Sequence, residues 1–73
     1  MTAIEAKQKR GAQYFMPMKD GITPQLFYRF ENIKYNDGTI APRLQYLSTC
    51  GGGWMGSMEN DEKSFVKNKL VKI

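Results

Sequence analysis

Residues 25–48, QLFYRFENIKYNDGTIAPRLQYLS, decide the fold. Two runs rich in aromatic and aliphatic side chains, Gln25–Tyr35 and Thr39–Ser48, flank Asn36-Asp37-Gly38. A three-residue hairpin loop commonly joins a type I turn to a residue in the left-handed region, which glycine enters without steric cost. Gly38 fits that slot, and the loop then pairs residues whose numbers sum to 74. Tyr28 faces Tyr46 and Phe30 faces Leu44; with Leu26 they form one apolar face. On the other face Phe27 meets Leu47, Arg29 meets Gln45 and Glu31 meets Arg43. A one-residue slip would set Glu31 against Leu44 and Phe30 against Gln45. Each good cross-strand pair contributes about 0.2–1 kcal/mol, so the first register wins at several positions. It also sets Pro42 opposite Asn32 at a non-hydrogen-bonded site, where the missing N–H points away from the partner strand. The Pro42 side is therefore expected to be a sheet edge, locally at least.

Working outward, Gln13–Met18 reads as a strand, and Pro17 suits an edge position because it has no N–H to donate. Asp-Gly and Thr-Pro mark Lys19–Pro24 as a loop. Thr2 and Glu5 have capping-box spacing before a run of good helix formers, and Gly11 ends that run. On the C-terminal side, Thr49–Ser57 (TCGGGWMGS) reads as a Gly-rich connection. Beyond it, Asn60 or Asp61 can cap a helix, with Glu62 near its start and Lys69 and Lys72 near its end, as the helix dipole favours. Phe65, Val66, Leu70 and Ile73 supply its apolar side. A closing strand over Phe65–Ile73 is the alternative, because Val66, Val71 and Ile73 are β-branched.

The expected fold is a single α+β domain over residues 1–73. A short N-terminal helix (1–11) precedes a small three-stranded antiparallel sheet, a β-meander over 13–48. A Gly-rich loop (49–59) leads to a C-terminal helix or closing strand (60–73). The first strand of the hairpin lies in the middle of the sheet.

Composition limits the chemistry. The chain has 73 residues, no His and a single Cys, Cys50. It therefore has no intrachain disulfide, no Cys–His nucleophile pair and no cysteine–histidine zinc cluster, which needs about four ligands. Glu59, Asp61 and Glu62 lack the loop pattern of a calcium site and read as a helix N-terminus. No metal and no cofactor are implied. No apolar run approaches the roughly 20 residues of a membrane span. Met1–Arg10 has no apolar signal core, and one unpaired Cys fits a reducing compartment, so the expected location is cytoplasmic. A chain this short buries a modest share of its surface, and no disulfide or metal adds to its core. Aromatic packing must compensate, or burial against a partner, a second copy included.

The net charge of +4 comes from 11 Lys and Arg against 7 Asp and Glu, and it is uneven. Lys7, Lys9 and Arg10 lie at one end; Lys63, Lys67, Lys69 and Lys72 lie at the other. The four C-terminal lysines are candidate contacts to an acidic partner or to phosphate, and otherwise a solvated helix face. Gly51 to Gly56 followed by Ser57 echoes a phosphate-binding loop but lacks its lysine, which excludes nucleotide hydrolysis of that type. Gly51, Gly52 and Gly53 could still offer backbone N–H groups to an anion or small ligand. The simpler role for these glycines is tight backbone geometry, with Trp54 plugging the sheet. Phe27, Arg29, Tyr35 and Arg43 combine aromatic and basic groups of the kind that stack bases or dock on a protein. Trp54, Met55 and Met58 are candidate docking residues, since Trp is common at binding hot spots and Met surfaces adapt to partners.

The resulting expectation is a non-enzymatic accessory or inhibitory protein that docks on another macromolecule, a regulator of the type common in phage and mobile elements. A protein is the expected partner. The alternative is a basic nucleic-acid-binding module using the Arg/aromatic sheet face and the basic termini.

Overall fold

The computed structural model describes all residues 1–73. In chain order the elements are α1 (Ala3–Arg10), β1 (Tyr14–Pro17), β2 (Pro24–Lys34), β3 (Ile40–Ser48), β4 (Gly51–Gly56), α2 (Glu62–Lys69) and β5 (Val71–Lys72). The strands form one antiparallel sheet in the order β4-β3-β2-β1-β5. The class is α+β as expected, but the sheet has five strands, not three. The meander with β2 at its centre is present. The two added strands come from segments read otherwise: β4 from the Gly-rich connection, and β5 from the end of the C-terminal helix. Residues 60–73 thus hold both alternatives in succession, a helix and then a short closing strand.

The hairpin register is the expected one, from Phe27↔Leu47 through Tyr28↔Tyr46, Phe30↔Leu44 and Glu31↔Arg43 to Asn32↔Pro42. At the tip, Tyr35 N–H donates to the Thr39 carbonyl at 2.8 Å and Gly38 N–H to the Tyr35 carbonyl at 3.0 Å. Gly38 has φ 89°, the left-handed geometry the loop requires. Asp37 Oδ1 braces the turn by accepting from Thr39 N–H at 2.9 Å and Thr39 Oγ1 at 2.7 Å. The helix ends also follow the sequence signals. Thr2 Oγ1 accepts from Glu5 N–H at 3.2 Å, Gly11 closes α1 at φ 74°, and Asp61 Oδ1 accepts from Ser64 N–H at 3.1 Å.

The core differs from the one-faced sheet expected. Val71, Phe15, Phe27 and Leu47 line up across four strands on one face. There Phe27 and Leu47 are fully buried with Ala6 of α1 and Ala12, and Ala3, Phe15, Trp54 and Ile73 pack around them. On the opposite face Lys72, Tyr14, Tyr28, Tyr46 and Met55 form a row across all five strands. Phe65 of α2 meets Tyr28 edge-on at 5.5 Å, and Tyr28 and Leu44 are buried. One helix therefore lies on each face. A strand covered on both sides must be apolar on both sides, as the consecutive Leu26-Phe27-Tyr28 is.

The sheet also narrows. Beyond its pairing with β1, β2 is met by one more group, the Gln13 Oε1, which accepts from Phe30 N–H at 2.9 Å. Beyond β4, β3 is met by Glu62 Oε2, which accepts from Leu44 N–H at 2.9 Å. Phe30 and Leu44 are partners in the ladder, so both side chains act at one rung. Past that rung β2 and β3 continue alone as a two-stranded arm, and the molecule measures 42 × 25 × 16 Å.

Candidate docking site

α1 has eight residues and is thus about 12 Å long at 1.5 Å per residue. It covers the Phe27–Leu47 row and leaves the outer part of the same face open. Arg29, Glu31 and Ile33 from one strand, and Arg43 and Gln45 from the other, share that open face by the period-two alternation, and Tyr35, just past the end of β2, reaches Arg43.

Both arginines are held in place. Arg29 Nε donates to Gln45 Oε1 at 3.0 Å, its guanidinium carbon lies 4.5 Å from the centre of the Trp54 ring, and Glu31 Oε2 is 3.8 Å away. A cation over an indole face contributes about 0.5–1 kcal/mol where the pair is partly exposed. Arg43 Nε faces both carboxylate oxygens of Glu62 at 3.3 Å, and its Nη1 donates to Tyr35 Oη at 2.8 Å. The Tyr35 hydroxyl first, and Glu62 second, hold the Arg43 guanidinium above its ordinary pKa. Beside this cluster, Ile33, Tyr35, Arg43, Leu44, Gln45, Gly56 and Ser57 surround a shallow hollow of about 350 Å³. Three of the residues that line it are hydrophobic, against one in each of the hollows along α2 and at the Met18–Gln25 turn.

The sequence candidates are divided by the fold. Arg29, Tyr35 and Arg43 come together on the open face. Phe27 does not join them: it is fully buried under α1 and has no surface to offer a partner, which corrects its reading as a contact residue. Trp54 turns toward the same face at its covered margin, where it is half-buried and its Nε1 donates to the Arg10 carbonyl at 3.1 Å. It ties β4 to α1 and supports Arg29. Met55 points to the other face, where the Tyr46 hydroxyl lies 3.7 Å from its sulfur. Met55 and Met58 are 58% and 94% exposed, so both remain free for contact.

Gly51, Gly52 and Gly53 are the start of β4, not a loop. Gly51 and Gly52 take φ 101° and 90° after the tight β3–β4 turn, and the Gly52 carbonyl accepts from the Arg10 guanidinium. Lys63, Lys67 and Lys69 are exposed on α2 and Lys72 on β5. They belong to the α2 side of the sheet, whereas Lys7, Lys9 and Arg10 belong to α1 on the opposite face, so the basic ends do not form one stripe.

Sequence reasoning gave no site role to Gln45, Ile33, Gly56 or Ser57. The register already put Gln45 and Ile33 beside the arginines. Nothing in the composition of β4 signals that its end closes the hollow.

Fold and surface together define a small α+β domain with an open five-stranded sheet and a projecting arm. Comparison with family models, curated proteins and solved structures finds no match. Neither helix is long and apolar enough to cross a membrane.

Proposed function

We propose that this chain is a non-enzymatic accessory or inhibitory protein that docks a protein partner on the open face of its hairpin arm. The observation that carries this reading is the prearranged pair of arginines on a face α1 leaves bare. Their geometry is set before any partner arrives, which lowers the ordering cost of binding. Each already has a carboxylate beside it, Glu31 for Arg29 and Glu62 for Arg43. The face is therefore close to neutral while rich in directional donors and acceptors. Phosphate contacts dominate nucleic-acid affinity, so a neutral face with the basic ends split between two sides favours a protein. Arginine and tyrosine, flanked by Ile33, match the make-up of binding hot spots.

The test is affinity capture of the tagged chain from its native host after nuclease treatment, beside Ile33→Asp and Arg43→Ala. A protein retained by the parent chain and lost from both variants, with their circular dichroism unchanged, is the expected result. Retained material that nuclease removes, with a steep dependence on salt, would replace this reading with the nucleic-acid one. Retention of the same protein by both variants would move the contact off the arm.

A further inference from the structure

The two helices are attached to the sheet by different means. α1 places Ala6 in the core, and Arg10 and Trp54 tie its end to β4. α2 has no fully buried residue. Phe65 and Val66 are half-buried, and residues 57–61 before the helix form neither helix nor strand. Beneath this loosely held segment Tyr28 and Leu44 are buried. Burial first, and then the Glu59 carboxylate, hold the Tyr28 phenol above its ordinary pKa of 10.0, so the stretch before α2 also lies near that ring.

One side chain fastens the start of α2. Glu62 is its first residue, and the Glu62 side chain is only 13% exposed. Its Oε2 accepts from Leu44 N–H at 2.9 Å, and both carboxylate oxygens face Arg43 Nε at 3.3 Å. Consecutive strand residues point to opposite faces, so Arg43 belongs to the arm face and Leu44 to the α2 face. Glu62 reaches both from the margin of β3. At the other end of α2, main-chain pairing of β5 with β1 holds the chain. Between the two ends Phe65 rests edge-on against Tyr28 at 5.5 Å.

We propose that Glu62 is a latch, that residues 58–70 form a hinged cover turning on β5, and that Arg43 couples the closed cover to the arm face. Opening breaks the Glu62 contacts and the Phe65–Tyr28 contact and bares Tyr28 and Leu44, while β2 and β3 stay paired. By linkage, any group that draws Arg43 away from Glu62 favours the open cover, and an open cover releases Arg43. The latch is a property of the free chain and does not rest on the docking reading.

Native-state hydrogen exchange of the full chain tests this. Leu44 N–H is the reporter: it belongs to the hairpin by sequence, yet its acceptor is Glu62. It should exchange together with the amides of residues 65–70, with protection at least about tenfold below that of the Phe27 and Leu47 amides inside the ladder. Phe30 N–H, held by Gln13 on the opposite margin, should not follow α2. Glu62→Ala removes a hydrogen bond to a charged acceptor and should raise the opening of α2 about tenfold. Glu62→Gln keeps an acceptor for Leu44 N–H and should recover part of that loss. Arg43→Ala lies outside α2, so it cannot act through helix propensity; it should raise opening about threefold, as suits a partly exposed ion pair. Added to Glu62→Ala, it should have no further effect. Ile33→Ala, on the same face as Arg43, should leave α2 unchanged. Exchange of Leu44 and α2 only in step with Phe27 and Leu47 overturns the proposal. So does an Arg43→Ala chain whose α2 exchanges as in the parent, or an Ile33→Ala chain that opens as readily as Arg43→Ala.

Discussion

The central hairpin and β4 lie side by side in one sheet, yet they are held there by different means. In β2 and β3, nearly every rung contributes a side-chain pair: aromatic on aromatic at Tyr28 and Tyr46, apolar at Phe27 and Leu47, charged at Glu31 and Arg43. The strands specify each other. β4 is four glycines, Trp54 and Met55, and glycine has low strand propensity because ordering it costs more entropy. Its fastenings gather at Arg10: Trp54 donates to the Arg10 carbonyl and sets its ring beneath Arg29, and the Gly52 carbonyl accepts from the Arg10 guanidinium. The hairpin is thus secured along its length, whereas β4 is secured near one point and by the open edge it joins.

That contrast can be attacked at either strand. Phe27→Ala should have the largest effect. A fully buried Phe replaced by Ala typically costs about 3–5 kcal/mol, and denaturant unfolding should show a loss of that size. A loss below about 1 kcal/mol would mean the hairpin does not depend on its contact with α1. Trp54→Ala comes next, at about 2 kcal/mol, less than the core figure because the ring is half-buried. Its more informative readout is hydrogen exchange: the amides of β4 should lose protection while those of Phe27–Glu31 keep theirs. Equal loss in both strands would show that β4 and the hairpin unfold as one unit, and the distinction drawn here would fail.

The smallest effect concerns the hairpin tip. The bond from the Thr39 hydroxyl, then that from its N–H, hold the Asp37 carboxyl below its ordinary pKa of 3.8. A depressed carboxylate pKa supports the folded turn at pH above the unfolded value and loses that support as pH falls through the folded one. The Thr39 amide resonance should therefore titrate with Asp37 below the ordinary Asp range, while β4 resonances stay still. A Thr39 amide that moved only at or above pH 3.8 would remove Asp37 from the turn.

The same difference explains what could be read in advance. The hairpin register followed from Asn36-Asp37-Gly38 and from pairs that make sense only one way; the margin of β3 on the Pro42 side is open only around Pro42, because β4 pairs with it from Gln45 to Ser48. Thr2, Gly11 and Asp61 marked helix ends because capping is local chemistry. β4 left no such trace. Glycines carry no alternation, and their extended state depends on the free edge of β3, which no local window contains. β5 is two residues long and exists because β1 has a margin to fill. The burial of Phe27 also depended on a distant event, the docking of α1, although the consecutive apolar residues at 26–28 already pointed to cover on both faces. Of the candidate site, the shared face of Arg29, Tyr35 and Arg43 was legible from register alone. The side to which Trp54 turns was not.

Gln13 and Glu62 have a mechanical consequence. They grip the ribbon from opposite margins at a single rung, Phe30 and Leu44, and past it the one further tie is Arg43 to Glu62 at the next rung. A beam clamped at its root and free at its tip concentrates bending moment at the clamp. Load applied at Asp37 is therefore felt at Glu62, in the first turn of α2 on one side of the sheet, and at Gln13, where the chain leaves α1 on the other. The arm is a lever whose fulcrum is built from two side chains, one from each flank of the domain.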